Sequence, residues 1–137
     1  MSVLRRIRWG KVLAAALLAE AAILVVFFLL LGAAFLAGVP EMAAPMSTLD
    51  NIDAIVSSFV MMYLMTLWLG KHIDSDFVLH GALVGLTAAF LFTLLWTIGF
   101  GSPAQPLAYV AAHYLKVVGG IVGGVVVKQR KQRLRPA

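Results

Sequence analysis

The chain lacks cysteine entirely and has little charge for its length. None of its 137 residues is cysteine, which excludes disulfides, thiolate nucleophiles and cysteine-ligated metal sites. Charged residues make up 12% of the chain, whereas a soluble domain carries about 25%. With 62% hydrophobic residues and a mean hydropathy of +0.97, the chain has more apolar surface than one small core can bury. The composition therefore predicts an integral membrane protein.

Four long apolar segments account for most of the sequence. They cover residues 12–38, 54–70, 77–100 and 107–127, and about 20 apolar residues suffice for a helix to cross a bilayer. The runs are continuous, whereas a membrane β-barrel shows shorter alternating segments. Short polar connections favour antiparallel neighbours. The sequence thus predicts an all-α membrane protein, a single antiparallel bundle of four transmembrane helices over residues 1–137.

Basic residues are confined to one set of connections. They precede the first helix, occur at Lys71 and fill the tail at 128–137, whereas residues 39–53 and 101–106 contain no Lys or Arg. The positive-inside rule then predicts a multi-pass protein of the bacterial inner (plasma) membrane with both termini cytoplasmic. We expect the basic tail to contact anionic lipid head groups. A nucleic-acid partner is not expected, because no aromatic residues or base-reading fold accompany the tail.

Ionisable residues inside the apolar segments are candidates for function. Glu20 lies roughly 14 Å past Lys11, and Lys116 lies roughly 18 Å before Lys128, at 1.5 Å per residue. The two could therefore pair between the first and fourth helices. His113 shares the face of Lys116, so Glu20, His113 and Lys116 form a predicted intramembrane polar cluster. Such a pair could fix helix register or respond to protons; Glu20 could also be neutral or pair with another subunit.

Metal and cofactor sites are not expected. His80 and His113 lie within or at the edge of separate apolar segments, and His72 lies in a connection. Their spacing does not suit metal ligation, and a haem would need axial ligands on facing helices.

Glycines concentrate on the last apolar segment and recur on the third. Small residues four apart let helix backbones approach closely in lipid. The neighbour of this face is expected to be the third helix or another protomer. The predicted helix-packing glycines are Gly81, Gly85, Gly119, Gly120, Gly123 and Gly124.

Two resemblances to known families follow from short stretches. The basic start and LLAEAAIL, with Glu20 early in the first of four helices, resemble the small multidrug resistance transporters. The chain departs from that family in lacking its third-helix signature of Gly, Tyr and Trp, and in carrying Lys116. HGALVGLTAAF and HYLKVVGGIVGG are similar to stretches of uncharacterised small four-helix bacterial inner-membrane proteins, a resemblance that implies no activity.

Two functions are compatible with these features. The chain shows no hydrolytic constellation, P-loop or dinucleotide fingerprint, so an enzyme is not expected. The favoured prediction is a structural or accessory subunit of a homo-oligomer or larger membrane complex, with lipid, other membrane subunits or itself as partners. The alternative is a small proton- or cation-coupled transporter that uses Glu20, Lys116 and His113.

Overall fold

The computed structural model describes residues 6–38, 44–102 and 104–134, and this part of the chain is helical without strands. The four helices are α1 (Trp9–Leu36), α2 (Ala44–Gly70), α3 (Phe77–Phe100) and α4 (Leu107–Arg133). Each is long and apolar enough to cross a membrane. The prediction of an all-α chain with four such helices is confirmed.

The helix boundaries differ from the predicted ones at several ends. α1 begins three residues earlier than predicted, α2 begins at Ala44 instead of 54, and α4 continues to Arg133 instead of 127. Six residues of the predicted basic tail are therefore helical, and residues 135–137 lie outside the described part. Hydropathy marks only the stretch that lipid can cover. The helix itself continues through Lys, Gln and Arg, which are good helix formers.

The helices follow the order α1, α2, α4, α3 around the bundle. α1 and α4 each pack against both α2 and α3, while α2 and α3 contact each other only slightly. In the described part of the chain, the backbones of α1 and α4 do not touch. Consecutive helices are thus close neighbours for α1–α2 and α3–α4. α2 and α3 are antiparallel as well but share only a small contact, because each packs mainly against α4, which runs parallel to α2.

The glycine face of α4, formed by Gly119, Gly120, Gly123 and Gly124, explains why α4 packs closely against both α2 and α3. Gly81 of α3 and Gly120 of α4 lie back to back, so that a Cβ on either would overlap the carbonyl of the other. The remaining predicted packing glycines also face backbone: an ideal Cβ would lie 2.5 Å from a carbonyl oxygen at Gly85, Gly119 and Gly124, and 2.9 Å from one at Gly123. Such approach is possible only without side chains. The glycines therefore pack α4 against α2 and α3 of the same chain.

Polar contacts join the helices where the basic residues cluster, which we call the basic end. Lys11 Nζ donates to the carbonyl of His72 at 2.5 Å, and Lys131 Nζ donates to that of Ile73 at 2.6 Å. His80 is 1% exposed. Its Nδ1 donates to the Asp76 carbonyl at 2.9 Å, and its Nε2 accepts the Arg8 backbone N–H at 3.2 Å. His80 thus holds the start of α1 against the start of α3.

Large apolar side chains cover much of the outer surface. Phe28, Leu29, Phe90, Ile98 and Tyr114 are each more than 60% exposed. A soluble monomer rarely exposes a continuous apolar surface of this kind. This distribution is compatible with a membrane protein.

Candidate functional site

Glu20 and Lys116 form an ion pair across the diagonal of the bundle. Lys116 Nζ lies 2.6 Å from Glu20 Oε1, and the two side chains are 3% and 10% exposed, respectively. Their long side chains bridge the space between α1 and α4, whose backbones do not meet. Lys116 Nζ also lies 4.6 Å from the centroid of the Phe92 ring, within the range of a cation–π contact.

The position of Glu20 follows from the small residues that precede it on α1. Ala15, Ala16 and Ala19 are completely buried, so this face of α1 packs closely on its neighbours. Glu20 follows at the edge of that face and is therefore directed into the bundle. The depths estimated from the sequence agree with this contact.

His113 lies beside the pair but has its own partners. Its Nε2 lies 2.7 Å from Gln105 Oε1 and 3.4 Å from Thr93 Oγ1. Its Nδ1 is buried without a hydrogen-bond partner among the described residues. The predicted cluster is therefore divided: the structure joins Glu20 to Lys116 and directs His113 toward the connection between α3 and α4.

Four further polar residues lie toward the opposite end of the bundle, away from the basic residues. Tyr109 Oη donates to both carboxylate oxygens of Asp50, at 2.9 and 3.0 Å. Ser57 Oγ donates to Asp53 Oδ1 at 2.5 Å, and Asp53 is 6% exposed. Sequence reasoning placed Asp50 in a connection and did not select Asp53 or Tyr109 as site residues. The helical spacing of Asp50, Asp53 and Ser57, three and four residues apart, was a signal that could have identified the two aspartates.

A half-open cavity of about 460 Å³ is lined by Asp50, Asp53 and Tyr109 and by Glu20 of the ion pair. Glu20 lines it at the middle of α1, and Asp50 and Asp53 line it in the first turns of α2. Tyr109 lines it seven residues from Lys116, roughly 10 Å along α4 at 1.5 Å per residue. The cavity therefore extends from the opposite end of the bundle to mid-depth.

Aromatic rings form one wall of this cavity. The rings of Phe92 and Tyr109 stack with centroids 5.6 Å apart, and those of Trp96 and Tyr109 are 5.4 Å apart. Trp96 is held in turn by a hydrogen bond from its Nε1 to the Ala104 carbonyl at 2.9 Å. The wall is thus apolar and held in place by mutual packing.

The charges around the cavity are unequal. Three carboxylates line it, while Glu20–Lys116 is the one ion pair in the described part of the chain. The described residues include no group of three His, Cys, Asp or Glu side chains arranged to hold a metal ion. Comparison with protein-family models, curated proteins and solved structures finds no match to this chain. The chemistry of the site is therefore inferred from its own residues.

Proposed function

We propose that the protein is a small proton- or cation-coupled membrane transporter in which the Glu20–Lys116 pair is the coupling element. The observation that supports this proposal is the position of the pair. Glu20 binds Lys116 through Oε1 and also lines the cavity that leads toward the opposite end of the bundle. A proton or a cation in the cavity can therefore reach the carboxylate that balances Lys116.

Charge balance supplies a physical basis for coupling. An unpaired charge in the hydrocarbon region is unfavourable, by roughly 2.5 to 3.5 kcal/mol on the insertion scale. Glu20 can neutralise one positive charge at a time, so a cation that binds it competes with Lys116. Protonation of Glu20 removes that attraction and favours release of the cation. Binding of protons and cations at one carboxylate is then linked, as coupling between ligands requires.

The accessory-subunit hypothesis drew support from the glycine face of α4. In the structure, that face contacts α2 and α3 of the same chain, so these glycines supply no surface for a second subunit. A role in a homo-oligomer or larger complex remains a prediction and would need a different contact surface. The accessory-subunit hypothesis, in contrast, does not require the cavity.

The proposal includes an orientation. The positive-inside rule places the basic end in the cytoplasm, in a bacterial inner membrane, so the cavity lies toward the outer side. Reporter fusions at Ala44 and Gln105 should then be outside, and fusions at Ser75 and Ala137 inside. An inverted result at any of these four positions would contradict the orientation.

Proton flux into liposomes tests the function directly. Purified protein is reconstituted with a trapped pH-sensitive dye, and a membrane potential is imposed. We expect flux above that of protein-free liposomes for the native chain and for Asp74→Asn, a control at the basic end. Glu20→Gln should reduce the flux to background, because the amide cannot exchange a proton. Thermal unfolding verifies that each variant is folded.

Two results would contradict the proposal. Native protein that gives no flux with any imposed gradient would remove the transport function, and constant co-purification of another membrane subunit would then favour the accessory role. Full flux through folded Glu20→Gln would show that coupling does not involve the ion pair.

A further inference from the structure

A second cavity, at the basic end of the bundle, carries charges of both signs beside an exposed apolar surface. We infer that this basic-end cavity binds the phosphoethanolamine headgroup of a membrane lipid, with the phosphate at Lys128 and Lys131 and the ammonium at Asp76. The inference goes beyond the proposed function, because it requires insertion into a membrane but does not require transport.

The basic-end cavity lies between the first turn of α3 and the last turns of α4. It is half open and has a volume of about 570 Å³, within the range of roughly 300 to 1,000 Å³ typical of small-molecule pockets. The apolar run of α3 begins beside it at Phe77, and that of α4 ends beside it at Val127. A chain that spans a bilayer through these runs therefore holds the cavity at the level of the lipid headgroups.

Two lysines supply the positive side of the cavity. Lys128 and Lys131 both line it, and neither forms an ion pair in the described part of the chain. Lys131 is held in place, because its Nζ donates to the Ile73 carbonyl at 2.6 Å and lies 4.8 Å from the centroid of the Phe77 ring. An ammonium has three donors, so Lys131 retains donors for a phosphate, an anion that lysine commonly binds.

Asp76 supplies the negative side of the cavity. It lines the cavity, and its φ of 55° places it in the left-handed region directly before α3. Ser75 Oγ donates to Asp76 Oδ2 at 3.0 Å, which orients the carboxylate without neutralising it. An anionic headgroup would bring a net negative charge toward this carboxylate, and such like-charge contacts oppose binding. A zwitterionic headgroup instead brings an ammonium to Asp76 and a phosphate to the lysines.

The lining favours a primary ammonium over a quaternary one. Proteins recognise quaternary ammonium groups with cages of aromatic faces. Phe77 is the one aromatic residue among the described residues that line this cavity, and the Lys131 ammonium already lies over its ring. A primary ammonium donates hydrogen bonds that the Asp76 carboxylate accepts. The cavity therefore suits ethanolamine better than choline.

An apolar surface continues from the cavity along the outside of α3. Leu79 lines the cavity, and Leu79, Leu86 and Phe90 are all exposed. Their spacing of seven and four residues places them on one face of the helix. The acyl chains of a lipid whose headgroup occupies the cavity can lie along this face. This continuity identifies the ligand as a lipid and not as a soluble phosphoamine.

Native mass spectrometry of the delipidated full chain in detergent tests the inference. Dioleoyl-phosphatidylethanolamine is titrated in parallel with phosphatidylglycerol and phosphatidylcholine that carry the same acyl chains, and with free phosphoethanolamine. We expect phosphatidylethanolamine to bind about fivefold more tightly than either other lipid, as one partly exposed charge pair would give. Free phosphoethanolamine should bind most weakly, because it lacks the contact with α3.

Two variants with matched controls test the residues. Asp76→Asn removes the charge, while asparagine tolerates the left-handed conformation, so the preference for phosphatidylethanolamine should disappear. Asp50→Asn removes the same charge at the opposite end of the bundle and should keep the preference. Lys128→Gln should weaken binding of all three lipids by about fivefold, whereas Lys71→Gln, outside the lining, should not. The lysine variant keeps the test decisive if Asp76→Asn does not fold.

The outcomes separate this inference from the proposed function. Equal affinity for phosphatidylethanolamine and either other lipid, or an unchanged preference in folded Asp76→Asn, would overturn the headgroup site. Free phosphoethanolamine that binds as tightly as the lipid would overturn the lipid assignment. Proton flux in liposomes without the lipid preference would overturn the site and leave the transport function intact. A preference that depends on Asp76, without flux, would support the site and contradict transport.

Discussion

The two halves of α4 differ in how closely they approach their neighbours. Residues 116–127 carry four glycines, and backbone lies against backbone around them. Residues 107–115 carry Tyr109 and His113, which meet aromatic and polar side chains instead. Residues 116–127 leave no room for a side chain at the four glycines, whereas residues 107–115 border a cavity of about 460 Å³.

This difference shows that side-chain volume along one helix can produce both a packed core and a cavity. Glycines bring α4 close to α2 and α3, because backbones without side chains can approach each other and gain dispersion and weak hydrogen bonds. Toward the opposite end, the rings of Phe92, Trp96 and Tyr109 pack on one another and fill one side only. Lys116 lies at the boundary. Its carbonyl lies 2.5 Å from the ideal Cβ position of Gly85, while its side chain reaches Glu20.

The largest expected effect comes from breaking the ion pair at this boundary. Lys116→Leu or Glu20→Leu leaves one buried charge unpaired, and each should lower the free energy of unfolding by about 3 to 5 kcal/mol. The double variant should recover much of that loss, since packed apolar residues often replace a buried pair without penalty. Denaturant unfolding in detergent measures all four proteins. Strictly additive single effects would show that the two side chains do not interact.

A smaller effect is expected from adding one methyl group to the closely packed half. Gly120→Ala places a Cβ against the Gly81 carbonyl, and overpacking of this kind should lower stability by about 1 to 3 kcal/mol. Gly32→Ala is the matched control, because nothing lies within 4 Å of its Cβ position. It should instead stabilise the helix by about 0.5 to 1 kcal/mol. Equal effects of the two substitutions on thermal unfolding would argue against the close helix contact.

The smallest expected effect concerns a hydroxyl of α2 that is buried against the glycines of α4. Thr66 Oγ1 has no hydrogen-bond partner among the described residues, so Thr66→Val should raise stability by about 1 kcal/mol through removal of an unsatisfied group. Thr97 serves as the control, because its Oγ1 donates to the Thr93 carbonyl at 2.8 Å. Thr97→Val should give no gain in the same unfolding measurement. A loss of stability on Thr66→Val would show that its hydroxyl has a partner.

Local sequence properties determined the number of helices and the depth of the central pair. Hydropathy is a property of each segment alone, so four apolar runs were sufficient to predict four helices. Helical rise converts position in the chain into depth, which explains why Glu20 and Lys116 could be matched although 96 residues separate them. Glycine spacing likewise identified the face of α4 that approaches another helix.

The tertiary structure alone decided which helices are neighbours and where the cavity lies. Short connections are compatible with several orders around a bundle, and the glycine contacts of α4 on both sides selected the order in which α2 and α3 are diagonal. The sequence grouped His113 with Glu20 and Lys116, whereas the position of the α3–α4 connection brings Gln105 to His113 Nε2. Asp50 meets Tyr109 across 59 residues because α2 begins ten residues before its apolar run. Hydropathy could not detect that extension, since the backbone hydrogen bonds of a helix do not depend on apolar side chains.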